Sequence, residues 1–241
     1  MTNEQPTTEQ VLEKIKSRGY WQVVIRPERF EKERLKSLGE CARLVLECKV
    51  VLRGWDYPHV GSRDGLRSGL DYVESLTDWG EYKELSRMYQ SGQFVHLFGC
   101  HEDWWGERVS IFGPSEYSQI KPGSVLGILS TLYTVTESYE FASRLAQKNL
   151  FDNTIHLSIE LHGMMNRKLF IEEFGRNLFH DYVCTINDLP YQRTIAVKEI
   201  LGQGHDLALD NTFWIFDRFN WHDPPRDVFK EDQKKLLEHR L

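Results

Sequence analysis

The sequence has few cysteines, and they form no recognised pattern. The chain of 241 residues contains four Cys, and none of them belongs to the C-x-x-C pair that is typical of zinc sites and redox motifs. A disulfide framework and a closed cysteine zinc site are therefore not expected. The first residues also lack the basic start and the apolar stretch of a secretory signal. Together these absences favour a reducing compartment, and we expect a cytoplasmic protein.

Long apolar runs and an excess of positive charge are also missing. No apolar stretch approaches the roughly 20 residues needed to cross a bilayer, so the sequence predicts no membrane span. The 30 Lys and Arg are outnumbered by 36 Asp and Glu, which leaves a formal net charge of −6. Nucleic-acid-binding domains usually carry the opposite sign, and here only the segment 26–53 is locally basic. Nucleic acid is therefore not the favoured partner; we expect a protein partner or a small ligand.

The common catalytic signatures are absent as well. The chain contains no G-x-S-x-G, no G-x-x-x-x-G-K-[ST] and no H-E-x-x-H motif. The segment Gly202-Gln203-Gly204 lacks the third glycine and the preceding strand of a dinucleotide-binding fingerprint. The sequence therefore indicates no cofactor and identifies no catalytic residue.

Apolar and aromatic residues, in contrast, are abundant and follow helix and strand patterns. Hydrophobic residues make up 40% of the sequence, including 13 Phe, 10 Tyr and 7 Trp, which is enough for one large core. We expect a single α+β domain over 1–241, with a mainly antiparallel sheet packed on a long central helix and a second buried C-terminal helix. A docking helix within 1–18 and an amphipathic helix within 226–241 flank this core.

Helical periodicity locates the main helices. Apolar side chains cover most of a helix surface over 125–145, and a second buried helix is predicted over 207–219. An amphipathic helix is predicted over 28–46, and a short one over 193–201 ends at the glycines that follow it.

Alternating apolar side chains locate the strands. Residues 20–25 and 93–98 have the β-branched and aromatic composition of strands, and 155–162 has the clearest alternation in the chain. This last strand is expected to continue as an antiparallel meander through 168–171 and 182–186.

One loop carries the strongest candidate binding site. Arg53, Trp55, Asp56, Tyr57 and His59 place a guanidinium, a carboxylate and an imidazole around two aromatic rings, just past a strand end. Loops on rigid scaffolds often carry function, and ligand sites combine aromatic walls with a few charged groups. In the structural alternative, the two rings plug the edge of the core while Arg53 pairs with Asp56 to hold the turn. Both interpretations stay open on the sequence.

Trp104 and Trp105 form a second candidate contact. They follow Cys100 and His101 in an acidic segment bounded by glycine. Tryptophan anchors interfaces when it is not buried within its own domain, so the pair either binds a partner or caps the core. Cys100 and His101 are adjacent and would point to opposite sides of an extended chain, which makes them a poor nucleophile and base.

Two short patterns raise a metal-dependent hydrolase or nuclease as the alternative. Glu47 and Lys49 form a Glu-x-Lys like the end of a nuclease core, in which carboxylates hold a divalent metal. Glu160 and His162 share one strand face and could bind the same ion, but no third ligand is identifiable. Surface ion pairs and a solvated sheet face explain both patterns without a metal, so no metal site is assigned.

Four segments are distinctive when taken together: Tyr20-Trp21, Arg53-Gly54-Trp55-Asp56-Tyr57-Pro58-His59, Gln90-Ser91-Gly92-Gln93-Phe94-Val95-His96 and Leu129-Ser130-Thr131-Leu132-Tyr133. They resemble an uncharacterised bacterial region that is associated with proteins carrying a Schlafen-type AlbA_2 module, a predicted DNA- or ATP-binding unit. The likeness covers most of the chain. No AlbA_2-like nucleotide-binding pattern is present, so that module's activity transfers to no residue. The resemblance implies a bacterial accessory or sensing domain in defence or regulation.

We therefore predict a non-catalytic binding module of a bacterial intracellular system. Its contact residues are expected to be Arg53, Trp55, Asp56, Tyr57, His59, Trp104 and Trp105. The sequence indicates neither the identity of the ligand or partner nor an oligomeric state.

Overall fold

The fold is α+β, as predicted. The computed structural model describes residues 6–60, 65–107, 119–173 and 175–240. The α-helices in this part of the chain are α1 (Thr8–Lys16), α2 (Leu38–Cys48), α3 (Ile128–Gln147), α4 (Val197–Asp217) and α5 (Arg226–Leu237). The strands are β1 (Tyr20–Pro27), β2 (Val50–Arg53), β3 (Trp55–Tyr57), β4 (Arg67–Ser68), β5 (Tyr72–Trp79), β6 (Tyr82–Tyr89), β7 (Phe94–Gly99), β8 (Val125–Gly127), β9 (Thr154–His162), β10 (Lys168–Phe170) and β11 (Asp188–Ala196). A 3-10 helix, His101–Glu107, follows β7.

The main sheet is antiparallel and contains seven strands in the spatial order β11-β9-β1-β7-β6-β5-β4. β1 buries every second residue, including Val23 and Ile25, and β9 buries Ile155, Leu157 and Ile159. Successive residues of a strand point to opposite faces, so this alternation directs one apolar face of the sheet toward the helices. The predictions of β1 and β9 are confirmed.

α3 lies at the centre of the core. Leu132, Val135 and Tyr139 of this helix are fully buried and belong to the same apolar cluster as Trp21 and Ile25 of β1. α4 packs along α3 and is also largely buried on its core side. The predicted sheet packed on a long central helix and on a second buried C-terminal helix is confirmed.

α1 covers part of the opposite face of the sheet. The Thr7 side chain accepts a hydrogen bond from the Gln10 backbone N–H, and the Gln10 side chain accepts one from the Thr7 backbone N–H. This capping box satisfies two backbone donors that the helix itself leaves unpaired. Val11 and Ile15 are buried against β6 and β7. The predicted docking helix is present, although the first five residues of the chain lie outside the described part.

α5 is the predicted amphipathic helix near the C-terminus. It buries Phe229 and Leu236 against the core and exposes most of its charged side chains. The last residue of the predicted segment 226–241 is not among the described residues. No helix in the described ranges has the length and apolar content that crossing a bilayer requires.

α2 is shorter than the sequence predicts. It begins at Leu38 rather than near Glu28, because Ser37 caps it by accepting a hydrogen bond from the Glu40 N–H at 3.2 Å. The residues before this cap contain few apolar side chains, and Phe30 is largely exposed. The early part of the predicted helix therefore has no apolar face to bury.

α4 continues through the glycines that were expected to end a helix. β11 occupies the first residues of the segment predicted as a helix over 193–201, and α4 then runs from Val197 to Asp217. Gln203 has non-helical backbone angles, with φ −135° and ψ 17°, so the helix kinks there without ending. Packing along α3 outweighs the low helix propensity of the neighbouring glycines.

The predicted meander after β9 is wrong. β9 lies between β1 and β11, whereas β10 pairs with β8 in a separate parallel sheet. The later part of the prediction holds locally, because Val183 forms an antiparallel bridge with Lys168 and backbone hydrogen bonds join the residues on either side of it. β11 carries Pro190 at the edge of the main sheet, where a missing N–H is tolerated. Strand order therefore differs from chain order in this region.

Candidate functional site

A tight hairpin presents the predicted binding residues. β2 and β3 pair across Gly54, which has a φ of +42°. Glycine adopts this left-handed conformation without the steric cost that a side chain would add. The turn places Arg53 opposite Trp55 in the strand register. Both side chains thereby reach the same cavity.

The cavity lies between the hairpin, the β6–β7 pair, the 3-10 helix and α3, and its volume is about 80 Å³. Four of the predicted binding residues line it, namely Arg53, Trp55, Asp56 and Tyr57. The other lining residues come from elements distant in sequence: Tyr82, Glu84, His96, Phe98, His101, Thr134 and Glu137. The loop is therefore folded around a cavity rather than packed shut.

Arg53 forms a largely buried ion pair with Glu137 of α3. Glu137 Oε2 accepts hydrogen bonds from Arg53 Nε at 3.0 Å and Nη2 at 2.8 Å, and Nη2 also donates to Thr134 Oγ1 at 2.9 Å. The Glu137 side chain is 1% exposed and Arg53 is 23% exposed. Burial raises the pKa of Glu137, although the Arg53 charge acts in the opposite direction. The second carboxyl oxygen of Glu137, Oε1, is buried and has no hydrogen-bond partner within the part of the chain that the structure describes.

Glu84 of β6 connects the hairpin to His96 of β7. Its Oε1 accepts a hydrogen bond from Trp55 Nε1 at 2.8 Å, and its Oε2 lies 3.2 Å from His96 Nε2. Burial alone would raise the pKa of Glu84, but the hydrogen bond and the electrostatic interaction with His96, the electrostatic interaction with His101 and the hydrogen bond from Trp55 outweigh it and lower the pKa. His96 is 2% exposed, and its Nδ1 is buried with no hydrogen-bond partner in the described ranges. In the neutral form of the ring, a carboxylate beside Nε2 favours the tautomer with the proton there, which leaves Nδ1 as an acceptor.

The indole of Trp55 is held between two other rings. The His59 and Tyr82 rings each stack on it with centroids 3.7 Å away, at interplanar angles of 17° and 11°. His59 is not part of the cavity lining. Its role is to hold the Trp55 ring in place by stacking on it. This stack fixes the direction in which Trp55 Nε1 donates to Glu84.

Asp56 and Tyr57 have partners of their own. Asp56 Oδ2 lies 2.5 Å from Lys49 Nζ, and Tyr57 Oη lies 2.9 Å from Ser138 Oγ of α3. Burial raises the pKa of the Tyr57 hydroxyl well above its ordinary value, so this side chain stays neutral. The predicted pairing of Arg53 with Asp56 is wrong, because each has a different partner within reach.

Trp104 and Trp105 do not form a surface contact. They are 2% and 8% exposed, respectively, and neither lines the cavity. The Trp104 ring packs beneath the Arg18 guanidinium, whose carbon lies 3.9 Å from the ring centroid, and Trp105 packs edge-on against Phe170. Their inclusion among the contact residues is therefore wrong, and the interpretation as a cap on the core is the one that fits their burial.

The residues of the metal alternative are engaged in ion pairs. Glu47 Oε2 lies 2.6 Å from Lys148 Nζ, and Lys49 pairs with Asp56. His162 Nδ1 lies 2.8 Å from Asp188, and its ring stacks on Tyr20. Within the described ranges, no cluster of three or more His, Cys, Asp or Glu side chains has a geometry that could hold a metal ion.

Sequence reasoning missed the charged half of the site. Glu84 and His96 lie inside strands and Glu137 lies inside a helix, and the sequence analysis considers His101 only as a partner of Cys100. A signal existed for Glu137, because it is an acidic residue one helical turn after Tyr133 on the helix that the sequence predicts to be central. A charged residue on a buried face needs a partner, and here that partner is Arg53.

Comparison with known proteins provides no further guide. No family model, no curated protein and no solved structure matches this chain. The resemblance to the region associated with AlbA_2 proteins therefore stays a prediction. The cavity is the feature of the described structure that bears on function.

Proposed function

We propose that this protein is a binding module that takes a small polar ligand, without transforming it, in the cavity behind the β2–β3 hairpin. The observation that supports this most directly is a pair of buried atoms, Glu137 Oε1 and His96 Nδ1, that have no hydrogen-bond partner among the described residues, both on residues that line the cavity. A buried polar atom without a partner costs about 1–3 kcal/mol. A bound ligand that supplies those hydrogen bonds recovers that free energy.

The site is preorganised, which favours binding further. Arg53 is held by Glu137 and Thr134, and Trp55 is held by its stacking partners and by Glu84. Side chains that are already ordered lose little conformational entropy when a ligand arrives. The free energy of new contacts is therefore available for affinity.

Two other roles have less support. A protein partner was expected to use Trp104 and Trp105, and these side chains are buried. For a metal-dependent hydrolase or nuclease, the candidate side chains Glu47 and Lys49 are already paired. The setting that we propose, a bacterial intracellular system in defence or regulation, depends on the family resemblance alone.

A ligand screen by two-dimensional amide NMR tests the proposal. Small polar compounds that bind are expected to shift the amide signals of Arg53, Trp55 and Glu137, and these shifts should weaken in Glu137→Gln. Glu140→Gln, on the same helix but paired with Arg144 outside the cavity lining, is the matched control and should bind like the unmodified protein. If no compound shifts these signals, or if Glu137→Gln binds equally well, the cavity is not a ligand site.

A further inference from the structure

The chemistry of the cavity wall narrows the class of ligand. Glu137 Oε1 belongs to a carboxylate, which accepts hydrogen bonds and donates none when ionised. His96 Nδ1 is also an acceptor when the single proton of the neutral ring lies on Nε2, facing Glu84 at 3.2 Å. Both unpartnered atoms therefore call for donors. A ligand that satisfies them must carry at least two N–H or O–H groups.

The charge balance of the wall points to a cation. Glu137 is paired with Arg53, and Asp56 with Lys49. Glu84 contacts the Trp55 indole and the His96 imidazole, and neither group carries a permanent positive charge. Burial lowers the pKa of His101 to about 4, so this ring adds no positive charge near neutral pH. Among the described lining residues, Glu84 is thus a carboxylate without a permanently charged cationic partner, and charges in such a buried setting strongly favour pairing.

The size and the walls of the cavity suit a small head group. A volume of about 80 Å³ holds a few heavy atoms rather than a whole metabolite. Tyr57 and Phe98 supply aromatic surface on one side, with their rings edge-to-face at 6.4 Å, and aromatic faces attract cations. Arg53 and Asp56, which are 23% and 21% exposed, mark the side that faces solvent. The remainder of a larger ligand would extend past them.

We propose that the ligand is recognised through a cationic, N–H-donating head group, a primary ammonium or a guanidinium, placed between Glu137, His96 and Glu84. This inference rests on the proposed function and specifies its ligand class. The ammonium or guanidinium donates to Glu137 Oε1 and His96 Nδ1, and its charge balances Glu84.

A titration with five simple probes tests the ligand class. The probes are methylammonium, methylguanidinium, tetramethylammonium, acetamide and acetate, each followed by amide NMR at pH 7.5 and constant ionic strength. Methylammonium or methylguanidinium should bind most tightly. Acetamide keeps the donors without the charge, and tetramethylammonium keeps the charge without the donors, so both should bind more weakly. Acetate should leave the signals of Arg53, Trp55 and Glu137 unshifted.

Two variants assign the binding to the cavity. Glu137→Gln and Glu84→Gln each remove one carboxylate at nearly constant volume and should weaken methylammonium or methylguanidinium binding roughly 10- to 100-fold, the range expected for a hydrogen bond to a charged group. Glu140→Gln should leave it unchanged. If Glu137→Gln fails to fold because Arg53 loses its partner, Glu84→Gln alone is sufficient, since its side chain does not bind Arg53.

The outcomes separate this inference from the proposed function. Binding of acetate at the same signals, or equal binding of acetamide and methylammonium, overturns the cationic head group while the cavity remains a ligand site. If methylammonium or methylguanidinium binds equally well to Glu137→Gln and to Glu84→Gln, the cation binds outside the cavity, and this result overturns the inference too. If neither these probes nor the broader screen shifts the cavity signals, the proposed function fails and the ligand class fails with it.

Discussion

Glu137 in the middle of α3 accepts two hydrogen bonds from Arg53 at the end of β2, at 3.0 and 2.8 Å, although the residues are 84 positions apart in the chain. This pair closes one side of the cavity and anchors the β2–β3 hairpin to the central helix. It is therefore both a structural contact and part of the proposed site.

Arg53→Ala should destabilise the fold by about 3 kcal/mol, because it leaves the Glu137 carboxylate buried without its cation. The measurement is the free energy of unfolding from urea denaturation. Arg226→Ala is the matched control, since Arg226 and its partner Asp210 are 44% and 50% exposed, and such pairs contribute about 1 kcal/mol or less. Equal losses in the two variants would show that the Arg53–Glu137 pair is no stronger than a surface ion pair.

Trp55→Phe should raise the pKa of Glu84. Phenylalanine preserves an aromatic ring between His59 and Tyr82 but removes the indole N–H that donates to Glu84 at 2.8 Å, and this hydrogen bond helps to hold the pKa down. The carboxyl carbon of Glu84 can be followed by ¹³C NMR across a pH titration. Trp79→Phe is the control, because the Trp79 ring also stacks on Tyr82. This variant should leave the pKa of Glu84 unchanged.

Glu102 should make stability depend on pH. Burial, with the nearby Glu172 carboxylate as a further cause, raises the pKa of Glu102 from an ordinary 4.5 to about 7. The folded state holds the Glu102 proton more tightly than the unfolded state does. Protonation of Glu102 therefore makes its full contribution to the free energy of unfolding below pH 4.5, and this contribution is lost as the pH rises through 7. The difference in unfolding free energy between the protein and Glu102→Gln should therefore change by up to about 3 kcal/mol across this window.

The comparison with Glu102→Gln is needed because the titration of His101 changes the free energy of unfolding with pH in the opposite direction to that of Glu102. The folded pKa of His101, about 4, lies below its ordinary 6.5, so its contribution is present above pH 6.5 and is lost as the pH falls toward 4. The effect of His101 cancels in the difference between the two proteins. A difference that stays constant from pH 4.5 to 7.5 would contradict the perturbed Glu102.

Trp104→Ala should cost about 3–5 kcal/mol of stability, the usual loss for removing a large buried aromatic side chain. Calorimetric unfolding measures it, and Trp79→Ala, at a ring that is 54% exposed, should cost far less. A stable Trp104→Ala variant that lost only a binding partner would restore the surface-contact interpretation.

Periodicity identified the parts of the fold whose environment is continuous along the chain. α3 and β9 each bury a regular set of apolar positions, so the 3.6-residue and two-residue repeats are visible without any structure. The hairpin residues Arg53, Trp55, Asp56 and Tyr57 were also identified from sequence, because charged and aromatic side chains are concentrated in one short glycine-containing segment.

The partners of those residues depended on the folded arrangement. Glu84 and His96 face the cavity because β6 and β7 pair antiparallel and lie beneath the hairpin, and Glu137 does so because α3 crosses the sheet there. The position of β11 beside β9, in place of the predicted meander, has the same origin. Local sequence carries backbone preference and burial pattern, whereas the pairing of distant strands and of distant charges is selected by the total free energy of the packed molecule.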